Sequence, residues 1–319
     1  MKNNNKDQYI AIQTLIEDKK VNILSDKMSL QFKQWFFILL KLVLETIFFI
    51  WFIFTIVFIF IQVSPNFDST SEYGASKYFD YLGNFLSFDW GYSVAKGADF
   101  SSFASTNIEY SFLIIFIVLF FSSIVAVFSS YFLSIKKFKG EKFLSKFIAI
   151  FSYAFSPFVF GIMFFMFASN KTFLENQNNF LPIFLVIFSL FISISFFYTH
   201  LISKSLKKEK EKTYFNFLYT KGLNEKNILK NHLSFQIFYY YIYYLPVVMV
   251  LLIFNSIALE ILFNIPGISS LLVISIKEPG GDGVLFLDSI MIYSILFVVI
   301  FGVREILTKI ADPKIRHLK

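Results

Sequence analysis

Cysteine is absent from this 319-residue chain, which excludes disulfides, thiolate catalysis and cysteine-bound metal. Histidine is scarce: His200, His232 and His317 stand far apart and read as interfacial or structural residues, not as a ligand set, so no metal or cofactor is expected. The one glycine-rich stretch, Pro279 to Gly283, lacks the lysine and the serine or threonine of a phosphate loop and reads as an outer turn. No internal repeat suggests an inverted-repeat secondary transporter. No cleavable signal peptide is visible either: the first 34 residues are polar and the first apolar run is too long for a signal h-region, so the first helix is expected to be an uncleaved anchor.

Charge is also thin, at 16% of residues, whereas hydrophobic residues make up 56% and aromatics 21%. Charge-poor windows recur at the roughly 20 residues that a helix needs to cross about 30 Å of hydrocarbon. Six segments qualify: Trp35 to Val63, Tyr110 to Ile135, Phe147 to Ala168, Phe180 to Ile202, Ser234 to Leu259 and Val284 to Val303. An all-α polytopic membrane protein follows. Residues 1–34, 136–146, 203–233 and 304–319 hold 6, 5, 8 and 5 lysines and arginines, whereas the alternating loops 64–108, 169–179 and 260–283 hold 2, 1 and 1. That asymmetry predicts cytoplasmic N- and C-termini. The net charge of +7 does not argue for nucleic acid, because the basic residues are spread over four membrane-flanking loops and form no stripe.

The expected organisation is a cytoplasmic tail (1–34), a first transmembrane helix (35–63), an extracytoplasmic loop (64–108) and a five-helix core (109–319) with a cytoplasmic segment at 203–233. Small residues recur on single helix faces, as in Ser122, Ala126 and Ser130, and in Ser152 and Ser156, where close helix packing is the favoured reading. Asp288 would cost roughly 2.5 to 3.5 kcal/mol facing lipid at the bilayer centre, so it should lie at the interface or face protein. Glu260, at the outer end of the fifth span, is either a path or gate residue or a paired interfacial carboxylate.

The most informative segment is Thr213 to Leu233. Apolar Tyr214, Phe215, Leu218 and Tyr219 fall on one helical stripe, Gly222 suits a stop, and Asn224 suits a restart as an N-cap. The pattern predicts a helix-glycine-helix elbow. By itself it fits equally a helix in a partner's groove or an amphipathic helix on the lipid surface.

The stretch YTKGLNEKNILKNHL (Tyr219 to Leu233) resembles the cytoplasmic signature of binding-protein-dependent ABC importer permeases, especially the dipeptide and oligopeptide subclass, with Lys221, Gly222, Leu223 and His232 in the matching places. LEILFNIPGISSLL (Leu259 to Leu272) is similar to that subclass's glutamate, phenylalanine and proline-glycine stretch, and ADPKIR (Ala311 to Arg316) to its closing motif. FDWGYSV (Phe88 to Val94) looks like its glycine-x-serine element, and Asp282 sits where a loop aspartate is usual. Departures are Thr213 for an acidic residue, Leu218 and Thr220 for small ones, and Glu305 for an aspartate.

The resemblance implies the type I permease fold with six transmembrane helices, and a coupling helix, Thr213 to Leu223, docked on a cytoplasmic ATPase. Its contact residues would be Tyr214, Phe215, Leu218, Lys221, Gly222, Leu223, Asn224 and His232, and the candidate gate or path residues Glu260, Phe263, Pro266 and Gly267. Implied partners are a second homologous permease, two ABC ATPase subunits, an extracytoplasmic binding protein and a peptide substrate. The chain itself would not be an enzyme. The rival class is an ion channel or secondary transporter, which calls for several ionisable residues at mid-membrane; a membrane scaffold would not need the elbow.

Overall fold

The computed structural model describes residues 33, 36–64, 67, 78–135, 141–154, 156–169, 180–222, 228, 233–277 and 280–311. Contacts divide the chain into Ile50–Ala311 and a second unit, Met1–Phe49 with Asp312–Lys319. In the second unit the described residues are Lys33 and the start of helix α1 (Phe36–Val63), whose Lys41 and Glu45 pair at 3.5 Å, both largely exposed. A pair so exposed adds little stability.

In Ile50–Ala311 the order is α2 (Tyr78–Leu86), β1 (Tyr92–Ser93), β2 (Ala98–Asp99), α3 (Phe100–Ile135), α4 (Glu141–Ala154), α5 (Pro157–Ser169), α6 (Phe180–Lys210), α7 (Thr213–Thr220), α8 (Ser234–Leu262), α9 (Ile268–Lys277) and α10 (Gly283–Ala311). Among the described residues five helices are long and apolar enough to span a membrane, and the bent pair α4–α5 makes a sixth if it counts as one span. The molecule is therefore an all-α polytopic membrane protein apart from a two-stranded antiparallel hairpin, Tyr92 opposite Asp99 and Ser93 opposite Ala98. Burial grades the spans: 17% of the apolar window of α1 is buried, against 72% for α10. By this measure α10 is the most buried of the five spans and α1 the least.

Helices run past their apolar cores. Phe100–Ile135 is 36 residues, about 54 Å at 1.5 Å per residue, well beyond the hydrocarbon thickness. Its first ten residues include Ser101, Ser102, Ser105, Thr106, Asn107 and Glu109, which place about two and a half polar turns outside the hydrocarbon without breaking the backbone ladder. The α6 helix likewise continues from Ile202 to Lys210, and Lys207, Lys208 and Lys210 in its last turn suit the negative end of the helix dipole.

The expected third span, Phe147 to Ala168, is instead two helices bent by 76°. Proline explains the break: Pro157 has no N–H to continue the α4 ladder and serves as the first residue of α5, while Ser156 Oγ accepts from Phe158 N at 3.4 Å as a cap. A Cβ at Gly161 would collide with the Leu259 side chain, so α5 lies directly against α8.

One apolar core joins α3, α6, α8, α9 and α10, with Ile115, Leu190, Ile194, Val248, Leu252, Ile268 and Leu285 buried in it. A second cluster packs Phe54, Phe58 and Ile61 of α1 against Val284, Leu287 and Met291 of α10. Ser122, Ala126 and Ser130 are fully buried, and Ser129 and Thr199 share a hydroxyl bond of 2.7 Å between α3 and α6. The small-residue face is a packing seam.

Candidate functional site

Helix α6 does not end freely. Glu211 N and Lys212 N donate to Lys208 and Glu209 carbonyls at 3.3 and 3.2 Å, turning the chain into α7, whose first turn is closed by a bond of Phe215 N to Lys212 O at 3.0 Å. At this corner Glu209 is 4% exposed among lysines. Its Oε1 accepts from Tyr214 OH at 2.8 Å, and its Oε2 accepts from Tyr240 OH at 2.6 Å and from Lys212 Nζ at 2.7 Å. One carboxylate thus ties α7 to α6 and α8. Hydrogen bonds to a charged acceptor contribute about 1.5 to 3 kcal/mol each, far more than the half-exposed Lys212 pair. Burial, and after it the bond to Glu209, push the Tyr214 phenol well above its ordinary range, so it stays a donor.

The second anchor is apolar. Phe215 is 1% exposed and belongs to the main core, with Leu218 packed against it. These two residues therefore face the chain's own bundle, and the outward face is a different one: Tyr214 is 37% and Phe217 58% exposed, and Lys221 Nζ sits 4.7 Å from the Phe217 ring centroid. The α7 helix carries aromatics on both sides, so the apolar stripe alone could not tell the anchored face from the free one. Gly222 follows with φ of +75°, the left-handed conformation of a helix stop, and a Cβ there would meet nothing within 4 Å. Leu223, Asn224 and His232 lie outside the described residues, as does the Tyr219 side chain, while Ile228 and Leu233 are buried in the main core.

At the opposite end of α8, Glu260 is fully buried. Its Oε2 accepts from Ser111 Oγ of α3 at 2.8 Å and from Ser269 Oγ of α9. Ser111 Oγ in turn accepts from Ile268 N at 2.8 Å and, at 3.5 Å, from Tyr293 OH of α10. Glu260 is thus the centre of a joint between four helices. The chain reverses there through Phe263, which is buried and edge-on to Phe165, and Asn264, whose φ of +51° suits an asparagine. Pro266 is exposed, and its carbonyl accepts from Asn107 Nδ2 at 3.1 Å. Gly267 has no room for a side chain: a Cβ would run into the Glu260 carboxylate and the Ser111 hydroxyl.

Two motifs 189 residues apart also meet. Asp282 Oδ2 accepts from Ser93 Oγ at 2.6 Å and Ala95 N at 3.0 Å, and Oδ1 caps α10 by accepting from Leu285 N at 3.0 Å. The hairpin of the outer loop is clasped to the start of α10. Asp288 faces protein, 4% exposed, and with Asp89 lines a small cavity walled by Tyr81, Phe85 and Trp90. His200 lies edge-on to Tyr153, whereas His232 and His317 fall outside the described residues. Among the described residues no three metal-ligating side chains come together.

Sequence reasoning missed Glu209 and Tyr240. The only signals are two acids, Glu209 and Glu211, alternating with lysines and a tyrosine-rich start to the fifth span.

A search of curated proteins found no match. The family of binding-protein-dependent transport system inner membrane components matches residues 136–317, which is more than half of the chain and includes the α6–α7 corner, Gly222 and Glu260. The chain belongs to that family and is a multi-pass inner-membrane permease component of an ABC importer.

Proposed function

We propose that this permease imports oligopeptides or dipeptides, together with a second homologous permease, two ABC ATPase subunits and an extracytoplasmic binding protein, and that both its termini are cytoplasmic. The observation that carries the coupling part of this reading is the α6–α7 corner, where the Glu209–Tyr214 bond and Phe215 fix α7 to the bundle while Phe217 and Lys221 remain outward. A helix held in this way moves with α6 and α8. Its exposed aromatic and lysine face has the composition of a helix that seats in an apolar groove with an acidic rim. ATP binding would close the ATPases on each other, carry α7 inward and open the bundle outward; hydrolysis would reset it.

The peptide subclass rests on the likeness of FDWGYSV, LEILFNIPGISSLL and ADPKIR to that subclass, and on the physical pairing of the first with Asp282. Glu260, Phe263, Pro266 and Gly267 are the proposed gate: a buried carboxylate at a four-helix joint is a place where one changed contact shifts several helices. Purification of the intact assembly from native membranes, with mass spectrometry of its subunits and bound ligand, tests the reading. Recovery of a peptide ligand and a peptide-binding subunit supports it, and a sugar or metal-chelate ligand overturns the peptide assignment.

A further inference from the structure

The lysine-rich end of α6 borders a cavity that the coupling corner does not use. It measures about 220 Å³ and is lined by Leu133 of α3, Ser145 and Ile148 of α4, and His200, Ser203, Lys204 and Lys207 of α6. Its floor is apolar and buried, with Leu133 and Ile148 both under 10% exposed, and its polar wall is entirely hydroxyl, imidazole and ammonium. Among the described residues no carboxylate lines it. Lys207 Nζ donates to Ser145 Oγ at 2.7 Å, so one ammonium is already turned toward the wall of the cavity.

Position decides what chemistry can reach it. The apolar part of α6 ends at about Ile202, so residues 200–207 sit where the helix leaves the hydrocarbon, at headgroup depth. The same two helices, α3 and α4, also carry exposed apolar side chains next to lining positions in sequence: Phe132 beside Leu133, and Phe143 and Phe147 flanking Ser145, which are 46%, 76% and 43% exposed. A free anion would find the lysines but gain nothing from those rings. A molecule with a phosphate head and acyl chains gains from both.

We propose that this cavity binds the phosphate headgroup of an anionic phospholipid, held by Lys204 and Lys207 with Ser145 and Ser203 as donors, its chains lying along the exposed phenylalanines of α3 and α4. Basic pockets between transmembrane helices are suited to such headgroups, and each lysine at the surface contributes about 1 kcal/mol toward an anionic lipid.

The test is native mass spectrometry of the full chain released from detergent, with dioleoylphosphatidylglycerol or dioleoylphosphatidylcholine added at equal concentration. One phosphatidylglycerol should be retained in preference to phosphatidylcholine by on the order of tenfold or more, as two lysines predict. Lys204→Gln with Lys207→Gln should abolish the preference, while Lys208→Gln, outside the cavity, should keep it. Ser145→Leu fills the cavity but leaves every charge in place, and it too should abolish the preference. Unchanged retention in Ser145→Leu would mean that the lysines act as a diffuse surface charge, and the site would be wrong. Displacement of the lipid by millimolar inorganic phosphate would make the cavity a free-anion site and overturn the lipid assignment, as would equal retention of the two lipids.

Discussion

Replacing Glu209 by glutamine removes a charge but almost no volume, so it isolates the electrostatic part of the α7 anchor. In the native corner two tyrosine hydroxyls donate to one carboxylate, at 2.8 and 2.6 Å. A glutamine amide offers one carbonyl acceptor and an NH₂ that faces the other tyrosine as a donor. One bond to a charged acceptor, worth about 1.5 to 3 kcal/mol, becomes a neutral one of about 0.5 to 1.5, and the second must reorganise. The Lys212 pair adds a few tenths at most, because that lysine is 56% exposed. The expected loss of α7 docking is about 2 kcal/mol, or roughly thirtyfold in its opening equilibrium. Phe215 stays buried and prevents full release. Hydrogen exchange of the intact protein reads this directly: the amides of 213–220 should exchange roughly thirtyfold faster in Glu209→Gln, with those of α3 and α10 unchanged. Tyr214→Phe and Tyr240→Phe should each give a smaller acceleration. If α7 exchanges at the native rate in Glu209→Gln, the carboxylate is not what holds it.

At Gly222, with φ of +75° and open space around the Cβ position, valine should cost about 1 to 2 kcal/mol through backbone strain alone. The Gly222→Val protein should insert normally yet lose ATPase recovery or peptide uptake at equal expression, and Gly222→Asn should lose less. Gly267→Ala drives a methyl into the Glu260 joint and should lower the thermal unfolding midpoint by an amount corresponding to about 1 to 3 kcal/mol, without relief from leucine or valine at the same position. Asp282→Asn keeps the shape of the clasp but weakens its bonds to Ser93, Ala95 and Leu285, so proteolysis of the outer hairpin should accelerate while α8 stays protected. Single cysteines in this cysteine-free chain at Ser87, Asn176 or Ser270 should react with an impermeant thiol reagent in whole cells, and those at Lys139 or Lys210 should not.

The spans were legible because a membrane demands long apolar runs, and five of the expected six appear as single helices. Their ends were not. Hydrophobicity reports only the part of a helix inside hydrocarbon, so Phe100 and Lys210 had no apolar signal to mark them, whereas the backbone ladder simply continues. The bend at Pro157 was readable in principle, since proline after serine is a stop and start signal, but the apolar run on both sides masked it. The helix stop at Gly222 was read from a local requirement of backbone geometry, and its φ is +75°. What holds α7 was not readable, because Tyr240 lies 31 residues beyond Glu209 and only the folded α6–α8 contact joins them. For the same reason the inner face of α7 was not readable: Phe215, expected on the partner-facing stripe, is part of the main core, while Phe217, outside that stripe, is 58% exposed. Ser93 and Asp282 were singled out separately, and only the fold makes them one clasp.

The central claim is that the outer face of α7 seats on an ATPase. A cysteine at Phe217, unique in this chain, can be labelled with a photoactivatable maleimide in membranes that contain the native assembly. Illumination should join the permease to an ATPase subunit carrying a phosphate-loop motif, and the same label at exposed Phe184 of α6 should not. Label at Phe217 that captures only lipid would put α7 on the membrane surface and contradict the account.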